Sequence, residues 1–489
     1  MHRLLHFPAL SLVVFAVSVA AQQPAITRPD GAILTPAQID STVNPLIQAA
    51  HVTGTGIALF RNRKVVYLKA YGLRDTEKGL PLTPDSVMTA ASLTKPAFAT
   101  AVMRLVQRGV LDLDRPIEQY LGKPLGEFVP YSDLKGDSRT AKFTLRILLD
   151  HTTGFANFRG LEEDRKLRIH YEPGTHYGYS GEGISLAQFV VEKVTGKSVA
   201  ALMQEELYGP LKMTRSSMVW EARFESDFAN GYDEYGRSLG PERHSSPSAA
   251  GSMQTTLRDY AAFLIALLHS KPLGIRTTGL LFNRQIAIHS AHQFPSLNEE
   301  TSTAYDGIRL SYGLGWGLYF SPYGKAFFKE GHDEGWRNLA LIFRERGDGI
   351  LILINSSNGE GIFKPLIDAV IGPTSFPFEW ENYTPWDKLP ALPPLKQHHP
   401  TSLSADQLNR VTGRYTLGAL ATLTVTVSGD HLSIQENDET PQDYLPESPQ
   451  DFYSTTSGDE CTFRLPAAGP AEALILHLDG KDVELKRVP

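Results

Sequence analysis

Strand-like segments stand near both ends of the first 370 residues, and helical patterns fill most of the chain between them. Apolar runs bounded by polar turns predict two early strands and three late ones, at residues 56–60, 65–68, 326–328, 339–343 and 350–354. Apolar residues recur at helical spacing over 184–194 and 257–268. This order predicts an α+β fold, in which the two ends pair in one antiparallel sheet and helices flank its faces.

A serine and a lysine three residues apart, Ser92 and Lys95, lie where a helix is expected to begin. Apolar residues recur at helical spacing as far as Gly109, and Pro96 is tolerated only in a first turn, so the helix has to start close to Ser92. Residues three apart share one helix face, which brings the lysine amine within reach of the hydroxyl. Ser92 is therefore a candidate nucleophile with Lys95 as its activating base. A plain helix start with a solvated lysine is the alternative.

Two distant stretches carry the other groups that such a pair needs. Tyr179 stands in a glycine-rich loop and is a candidate proton shuttle, because nearby ammonium groups make a phenol more acidic. The alternative is a loop aromatic that packs on the surface. Lys329 follows an apolar strand and offers a positive charge to a substrate carboxylate, or is simply solvated at a strand end. Gly331 lets a substrate approach the strand edge, where the N–H of His332 would help to hold an oxyanion.

Charge and cysteine content exclude several classes of function. The formal net charge of -7, with no block of lysine and arginine, argues against nucleic acid as a partner. Cys461 is the only cysteine, so it cannot form an internal disulfide, and a buried structural thiol is expected. Zinc-binding patterns such as H-E-x-x-H are absent, and Glu330, His332, Asp333 and Glu334 lie along a strand whose consecutive side chains alternate between faces, so these four are not expected to converge on one metal. We expect no metal and no other cofactor.

The N-terminus predicts export. An apolar run over 7–19 follows a weakly positive start and precedes small residues, which is typical of a signal peptide over residues 1–21. The run is short for a membrane helix, and an uncleaved anchor is the alternative. The predicted location is periplasmic or secreted, with no stable membrane insertion after cleavage.

Composition changes after residue 371. Prolines and aromatic residues fill 372–402, which predicts a semi-rigid linker packed against a domain. Alternating apolar residues with tight turns then predict two hairpins, and hence a small antiparallel β domain over 403–489.

Six ordered stretches resemble the serine β-lactamase-related family, which includes class C β-lactamases, penicillin-binding proteins, D-amino-acid peptidases and esterases. They comprise residues 71–73 with 81–86, 91–96, 111–114, 148–154, 250–253 and 312–317. The resemblance implies a β-lactamase/transpeptidase-like serine hydrolase domain over 36–371. The segment 403–489 resembles the lipocalin-like β domain that is often appended to this family.

The resemblance also implies roles for the candidate residues. Ser92 would be the nucleophile, and Lys95 and Tyr179 would share the proton transfers. The Y-x-N motif of the family falls on residues 179–181, so Gly181 stands where an asparagine usually orients the substrate amide and the lysine. The K-T-G box falls on residues 329–331, with Glu330 in place of a small residue.

These features predict an exported serine hydrolase that forms an acyl-enzyme on an ester, amide or β-lactam carbonyl. The substrate would be a small molecule or a peptide, with or without a carboxylate. Gly181 favours an esterase or amidase over an efficient β-lactamase. A catalytically idle, penicillin-binding-like sensor or scaffold is the alternative. The sequence carries no signal for an oligomeric state.

Overall fold

The computed structural model describes residues 25–418, 421–437, 441–478 and 481–488. The predicted signal peptide, residues 1–21, lies outside these residues. Within the described ranges, no helix combines the length and apolarity needed to cross a bilayer.

A nine-stranded antiparallel sheet forms the centre of the larger domain. The described strands before residue 360 are, in chain order, β1 (Ile26–Thr27), β2 (Ile33–Leu34), β3 (Gly54–Arg61), β4 (Lys64–Asp75), β5 (Leu80–Pro81), β6 (Met88–Thr89), β7 (Gly231–Tyr232), β8 (Ser238–Gly240), β9 (Gln254–Thr255), β10 (Ile286–Ala287), β11 (Ser311–Tyr312), β12 (Gly317–Ser321), β13 (Gly324–Asp333), β14 (Trp336–Phe343) and β15 (Asp348–Ile354). The sheet order is β10-β11-β12-β13-β14-β15-β3-β4-β5. Because β15 pairs with β3, the two ends of the domain meet, and the predicted α+β fold is confirmed.

Helices cover both faces of this sheet. The described α-helices are α1 (Pro36–Ala49), α2 (Thr94–Gln107), α3 (Ile117–Leu121), α4 (Leu145–Leu149), α5 (Gly181–Thr195), α6 (Val199–Met203), α7 (Gly209–Leu211), α8 (Leu257–Leu268), α9 (Ile275–Leu281), α10 (Phe363–Val370) and α11 (Ala405–Val411). Short 3-10 segments occupy Ala91–Leu93, Leu125–Glu127, Val129–Leu134, Ser138–Lys142, Arg159–Leu161, Ala222–Phe224, Asp306–Ile308, Ser357–Ile362 and Trp386–Lys388, and one π-helical turn spans Gln204–Tyr208. Side-chain oxygens of Thr35, Ser180 and Thr256 cap the first turns of α1, α5 and α8.

Alternation along the strands separates two apolar cores. On β14, Ala340 and Ile342 face the side of the sheet that holds α2, α5 and α8, whereas Leu339 and Leu341 face α1 and α10. The same alternation on β13 sends Phe327 to the first core and Phe328 to the second. Consecutive side chains at the end of β13 therefore point to opposite faces of the sheet.

The first part of the predicted linker packs into the core of the larger domain. The side chains of Phe376, Trp380 and Tyr383 are buried in the core beside α10, so this stretch belongs to the larger domain. Prolines prevent helix formation here, but they do not prevent the aromatic side chains from packing. Residues 387–397 are the continuously exposed part of the segment.

A closed barrel of eight antiparallel strands confirms the predicted C-terminal β domain. Its strands are β16 (Gly413–Thr416), β17 (Thr422–Ser428), β18 (His431–Glu436), β19 (Gln442–Pro446), β20 (Asp451–Ser454), β21 (Glu460–Arg464), β22 (Ala473–Leu478) and β23 (Lys481–Val488). Cys461 is buried in the barrel core, as expected for a structural thiol. The barrel touches the larger domain where Arg237 donates a 2.6 Å hydrogen bond to the carbonyl of Ser457.

Candidate active site

Ser92 lies in the 3-10 turn that leads into α2, with Lys95 on the same face one turn later. The Nζ of Lys95 donates a 2.9 Å hydrogen bond to the Oγ of Ser92 and a 2.6 Å bond to the carbonyl of Ala250. The Lys95 side chain is 1% exposed, whereas Ser92 is partly exposed to the cleft. This arrangement holds an amine against a hydroxyl that substrate can reach.

Contacts from two sides fix the segment that carries Ser92. Ala91, directly before it, has the left-handed φ of 47°, a backbone conformation that residues other than glycine adopt at a cost. The Nδ2 of Asn338 on β14 donates to the carbonyls of Thr89 and Ala90 at 3.1 and 3.3 Å. From the other side, the hydroxyl of Tyr260 donates to the carbonyl of Leu93 at 3.0 Å. The strained turn is therefore held by the sheet and by α8.

Burial determines the electrostatics of Lys95. Burial lowers the pKa of its ammonium below the ordinary value; the phenol of Tyr179 opposes this shift, and the nearby positive charge of Lys329 adds to it. A lysine with a lowered pKa spends more of its time as the neutral amine at moderate pH. The neutral amine is the form that can accept a proton from Ser92.

Tyr179 lies between the two lysines. Its ring centroid is 5.0 Å from the Nζ of Lys95 and 4.6 Å from the Nζ of Lys329. Its hydroxyl is buried and makes no standard hydrogen bond to the described residues, although it is close enough to favour the charged form of both ammonium groups. The phenol thus lies in the cleft wall beside both ammonium groups.

His151 supports the loop of Tyr179 and was not assigned a role from the sequence. Its Nδ1 accepts a 3.1 Å hydrogen bond from the backbone N–H of Ser180, and its ring lies 4.5 Å from the Tyr179 ring. Burial, together with the charges of Lys95 and Lys329, lowers the pKa of His151 well below its usual range. A neutral imidazole therefore holds the loop in place. The sequence signal for it is the stretch 148–154, which lies next to this loop in the fold.

The open edge of β13 forms the opposite side of the site. Strand β12 pairs with β13 only as far as Phe328, so the following residues bond to β14 alone. Gly331 lies directly against the nucleophile segment, since an added Cβ would be 2.5 Å from the carbonyl oxygen of Ala90 and 3.0 Å from the nitrogen of Leu93. A side chain at position 331 would separate the strand edge from Ser92, which explains the glycine.

Lys329 does not line the cleft. It is fully buried, and its Nζ forms an ion pair with Glu330. Burial works against the charge of Lys329, but the carboxylate of Glu330 and the phenol of Tyr179 outweigh it and raise the pKa of the lysine. The expected role of Lys329 as an open anchor for a substrate carboxylate does not fit this geometry, because Glu330 already neutralises it.

Two further acidic and amide side chains surround this ion pair. The Nε2 of Gln293 donates a 3.0 Å hydrogen bond to Glu330. Glu381 is 4% exposed, and neither carboxyl oxygen bonds to any described residue. Burial, and then the negative charge of Glu330, raise the pKa of Glu381 well above its usual range. Both effects favour the neutral form of this carboxyl beside the ion pair.

His332 turns away from α2, as the alternation along β13 requires. Its Nε2 and the hydroxyl of Tyr383 are 3.0 Å apart, so the segment 372–402 also reaches the site. Burial, and then the nearby Arg337 guanidinium, lower the pKa of His332 to about 3. Only its backbone is in a position to act at the strand edge beside Ser92.

Asn157 and Phe158 contact Gly181, and neither was singled out from the sequence. An added Cβ at Gly181 would lie 2.6 Å from the Phe158 ring, so that ring covers the place of a side chain at position 181. The Oδ1 of Asn157 accepts a 2.9 Å hydrogen bond from the Gly181 N–H. Their sequence signal is weak: they follow the 148–154 stretch by a few residues, and only the fold brings them to position 181.

An open cleft of about 380 Å³ lies above these groups. Its wall is formed by Ala91, Ser92, Lys95, Asn157, Phe158, Tyr179, His244, Ser246, Ser248, Ala250, Gly251, Ser252, Phe294, Glu330, His332 and Asp333. The structure brings all six sequence-predicted site residues to this cleft or directly behind it: Ser92, Lys95, Tyr179, Lys329, Gly331 and His332. Among the residues described, no group of three or more His, Cys, Asp or Glu side chains is arranged to hold a metal ion.

Comparison with known proteins identifies the family. The family model described as Beta-lactamase matches residues 39–371, which is more than half of the chain. The chain belongs to the beta-lactamase family.

Two curated relatives carry different names. Esterase EstB of Burkholderia gladioli is 29% identical over 223 residues, which cover 40% of this chain and 55% of the esterase. Protein flp of Staphylococcus aureus (strain MRSA252) is 25% identical over 214 residues, which cover 41% of each chain. The match therefore spans about half the length of these relatives.

Two solved structures share this fold. The octameric penicillin-binding protein homologue from Pyrococcus abyssi aligns with a TM-score of 0.57 at 20% identity and covers 92% of this chain and 99% of that chain. The D-alanine carboxypeptidase AmpC from Burkholderia cenocepacia aligns with a TM-score of 0.53 at 21% identity and covers 65% of this chain and 93% of that chain. Family and fold support a serine hydrolase in the general sense.

Proposed function

We propose that this protein is a serine hydrolase that forms an acyl-enzyme on Ser92 and acts on small, uncharged carboxylic esters. The observation that carries the proposal is the buried amine of Lys95, 2.9 Å from the Ser92 hydroxyl and with a lowered pKa. A poised base in contact with an accessible hydroxyl is the requirement for a serine nucleophile.

The chemistry proceeds in two halves. The neutral amine of Lys95 takes the proton of Ser92, and the Oγ attacks the ester carbonyl carbon to give a tetrahedral oxyanion. The backbone N–H groups of Ser92 and His332 bind that oxyanion, and each such donor contributes about 3 to 4 kcal/mol in comparable sites. The C–O bond of the ester then breaks, Tyr179 passes a proton to the leaving alcohol, and a water molecule hydrolyses the acyl-enzyme by the reverse sequence.

The charge around the cleft supports an uncharged substrate. The positive charge of Lys329 is compensated by Glu330, and the cleft wall includes the carboxyl groups of Glu330 and Asp333. A substrate carboxylate would meet these acidic residues, and Lys95, the one lysine among the described residues of the cleft wall, is assigned to the base and not to an anchor, so binding an anion costs free energy. The similarity to a protein named Esterase EstB is consistent with an ester substrate.

The proposal includes a periplasmic or secreted location. It rests on the apolar N-terminal run that precedes small residues. N-terminal sequencing of the protein recovered from its native host is expected to begin near residue 22, and retention of residues 1–21 in the mature protein would contradict export by signal cleavage.

Covalent labelling tests the nucleophile. Intact-mass analysis after incubation with a fluorophosphonate is expected to show one adduct, which peptide mapping assigns to Ser92. Ser92→Ala should lose the adduct, whereas Ser246→Ala, which changes another serine of the cleft wall, should keep it. An unlabelled wild-type protein would favour the idle sensor or scaffold.

Hydrolysis rates test the substrate class. The account predicts turnover of 4-nitrophenyl butyrate and, for a chromogenic cephalosporin that bears a carboxylate, a kcat/KM at least tenfold lower. Equal or faster hydrolysis of the cephalosporin would reject the uncharged-ester assignment and leave the serine mechanism in place.

A further inference from the structure

A side chain at position 181 would have to displace the Phe158 ring. A Cβ built on Gly181 would be 2.6 and 2.9 Å from two ring atoms of Phe158 and 3.1 Å from the carbonyl oxygen of Asn157. Phe158 lines the cleft beside Ser92 and Tyr179. The aromatic ring thus fills the volume that a residue at 181 would otherwise project into the cleft.

Asn157 is held at this place by three hydrogen bonds. Its backbone N–H donates to the Oγ of Ser296 at 3.1 Å, and its carbonyl accepts from the N–H of Glu182 at 3.0 Å. Its Oδ1 accepts from the N–H of Gly181 at 2.9 Å. A backbone N–H can only donate, so the oxygen of the carboxamide has to face Gly181, and the Nδ2 points the other way.

The Nδ2 of Asn157 is therefore a fixed donor without a partner among the described residues. Asn157 lines the same cleft wall as Ser92 and Lys95, and its carboxamide cannot rotate without losing the bond to Gly181. A preorganised donor in a cleft recognises a carbonyl oxygen of a substrate without further ordering cost.

We propose that Asn157 is a substrate-binding residue whose Nδ2 binds an amide carbonyl of the substrate, with Phe158 closing the space at position 181. This proposal rests on the esterase function above and deepens it, because it assigns the substrates to esters that carry an amide group near the scissile bond. The donor comes from the loop before α5 and not from the helix start itself.

Three esters test the proposal: 4-nitrophenyl butyrate, an ester with an amide in its acyl part, and an ester with an amide in its alcohol part. The test variant is Asn157→Asp, which keeps an oxygen for the Gly181 N–H and removes the donor. We expect kcat/KM for at least one amide ester to fall about five- to tenfold relative to butyrate, which is the range of one neutral hydrogen bond. Using the ratio between esters cancels any general effect of the new charge on Lys95.

Ser296→Ala is the matched control, because it loosens the same loop but leaves the donor in place. Its ester ratios should equal those of the wild type. If Asn157→Asp changes all three esters equally, or none, Asn157 has only a structural role and the proposal is overturned. Asn157→Ser, which lacks the carboxamide without adding charge, repeats the measurement if the aspartate variant does not fold. Failure of the wild type to hydrolyse any ester would instead reject the proposed function.

Discussion

The ion pair between Lys329 and Glu330 shapes the site at the scale of single residues. Both side chains are buried, and the Nε2 of Gln293 also bonds to the carboxylate. Removing one partner of a buried pair leaves an uncompensated charge, which costs about 3 to 5 kcal/mol. Glu330→Gln is therefore expected to lower the free energy of unfolding by that amount in urea titrations.

The double variant Lys329→Met/Glu330→Gln is the control for this prediction. Both charges are then absent, so we expect it to recover most of the lost stability. A single variant that is as stable as the double variant would contradict the pairing.

His332 predicts a pH dependence of stability. Its pKa is lowered to about 3 by burial first and then by Arg337, whereas an unfolded histidine titrates near 6.5. Between these values the unfolded chain binds a proton that the folded chain does not, so the free energy of unfolding falls as the pH drops from about 6.5 towards about 3.

The matching variant is His332→Gln, which cannot take up that proton. Its free energy of unfolding, from urea titrations between pH 6.5 and pH 4.5, should fall less steeply than that of the wild type. The difference in slope is at most about 1.4 kcal/mol per pH unit. An unchanged slope would show that the pKa of His332 is not lowered in the folded protein.

Local sequence spacing was sufficient to pair Ser92 with Lys95, because both lie within one helical turn. It could not reveal the partner of Lys329. Neighbours on a strand are expected to point to opposite faces, yet Glu330 reaches Lys329 around the open edge of β13. Side chains can meet around a strand edge only where no neighbouring strand pairs with it. The sequence does not show where β12 stops pairing with β13, because that depends on the order and length of the strands in the sheet.

Asn338 ties two elements together, the strand β14 and the segment before Ser92. Its Nδ2 donates to Thr89 and Ala90, and its Oδ1 accepts from the N–H of Ile354 at 3.2 Å. Asn338→Ala removes these bonds, each buried group left unpaired costing about 1 to 3 kcal/mol. We expect kcat for an activated ester to fall at least tenfold, because the position of Ser92 is no longer fixed.

Asn355→Ala is the control for Asn338→Ala. Asn355 also lies buried and donates to two carbonyls, those of Leu73 and Asn230, away from Ser92. It should lose comparable stability in thermal unfolding but keep kcat within about threefold of wild type. Equal losses of kcat in both variants would mean that Asn338 acts only through global stability.

Elements with strong periodicity were predicted well, whereas for the segment 372–402 the sequence indicated only a linker packed against a domain. The spacing of apolar residues over many positions indicates strands such as β3 and helices such as α8. The stretch around Trp380 has prolines and no period, so composition indicated a linker, while its aromatic side chains pack in the core through non-local contacts. Asn157 was missed for the same reason, since its role depends on Gly181 in another element.

In the whole molecule, the barrel docks on the larger domain. Arg237 donates to the carbonyl of Ser457 and also forms an ion pair with Asp233 in its own domain. Arg237→Ala removes this bridge, so the exposed segment 387–397 should open more often. Trypsin cleavage after Lys388 or Lys396 is expected to become several-fold faster, as followed by gel electrophoresis.

The control for the docking prediction is Arg464→Ala. Arg464 pairs with Glu484 on the barrel surface, and no hydrogen bond or ion pair joins it to a described residue of the larger domain. It should be cleaved at the wild-type rate. If Arg237→Ala and Arg464→Ala are cleaved equally fast, Arg237 does not hold the two domains together.

The central claim is that the buried amine of Lys95 activates Ser92, and the pH dependence of Ser92 labelling tests it most directly. The rate constant for fluorophosphonate labelling should rise with pH to a plateau whose midpoint lies below 10.5, because deprotonation of Lys95 at a lowered pKa creates the base. Lys95→Met should be labelled at least 100-fold more slowly at every pH. Labelling of Lys95→Met at the wild-type rate, or a midpoint at or above 10.5, would contradict the account.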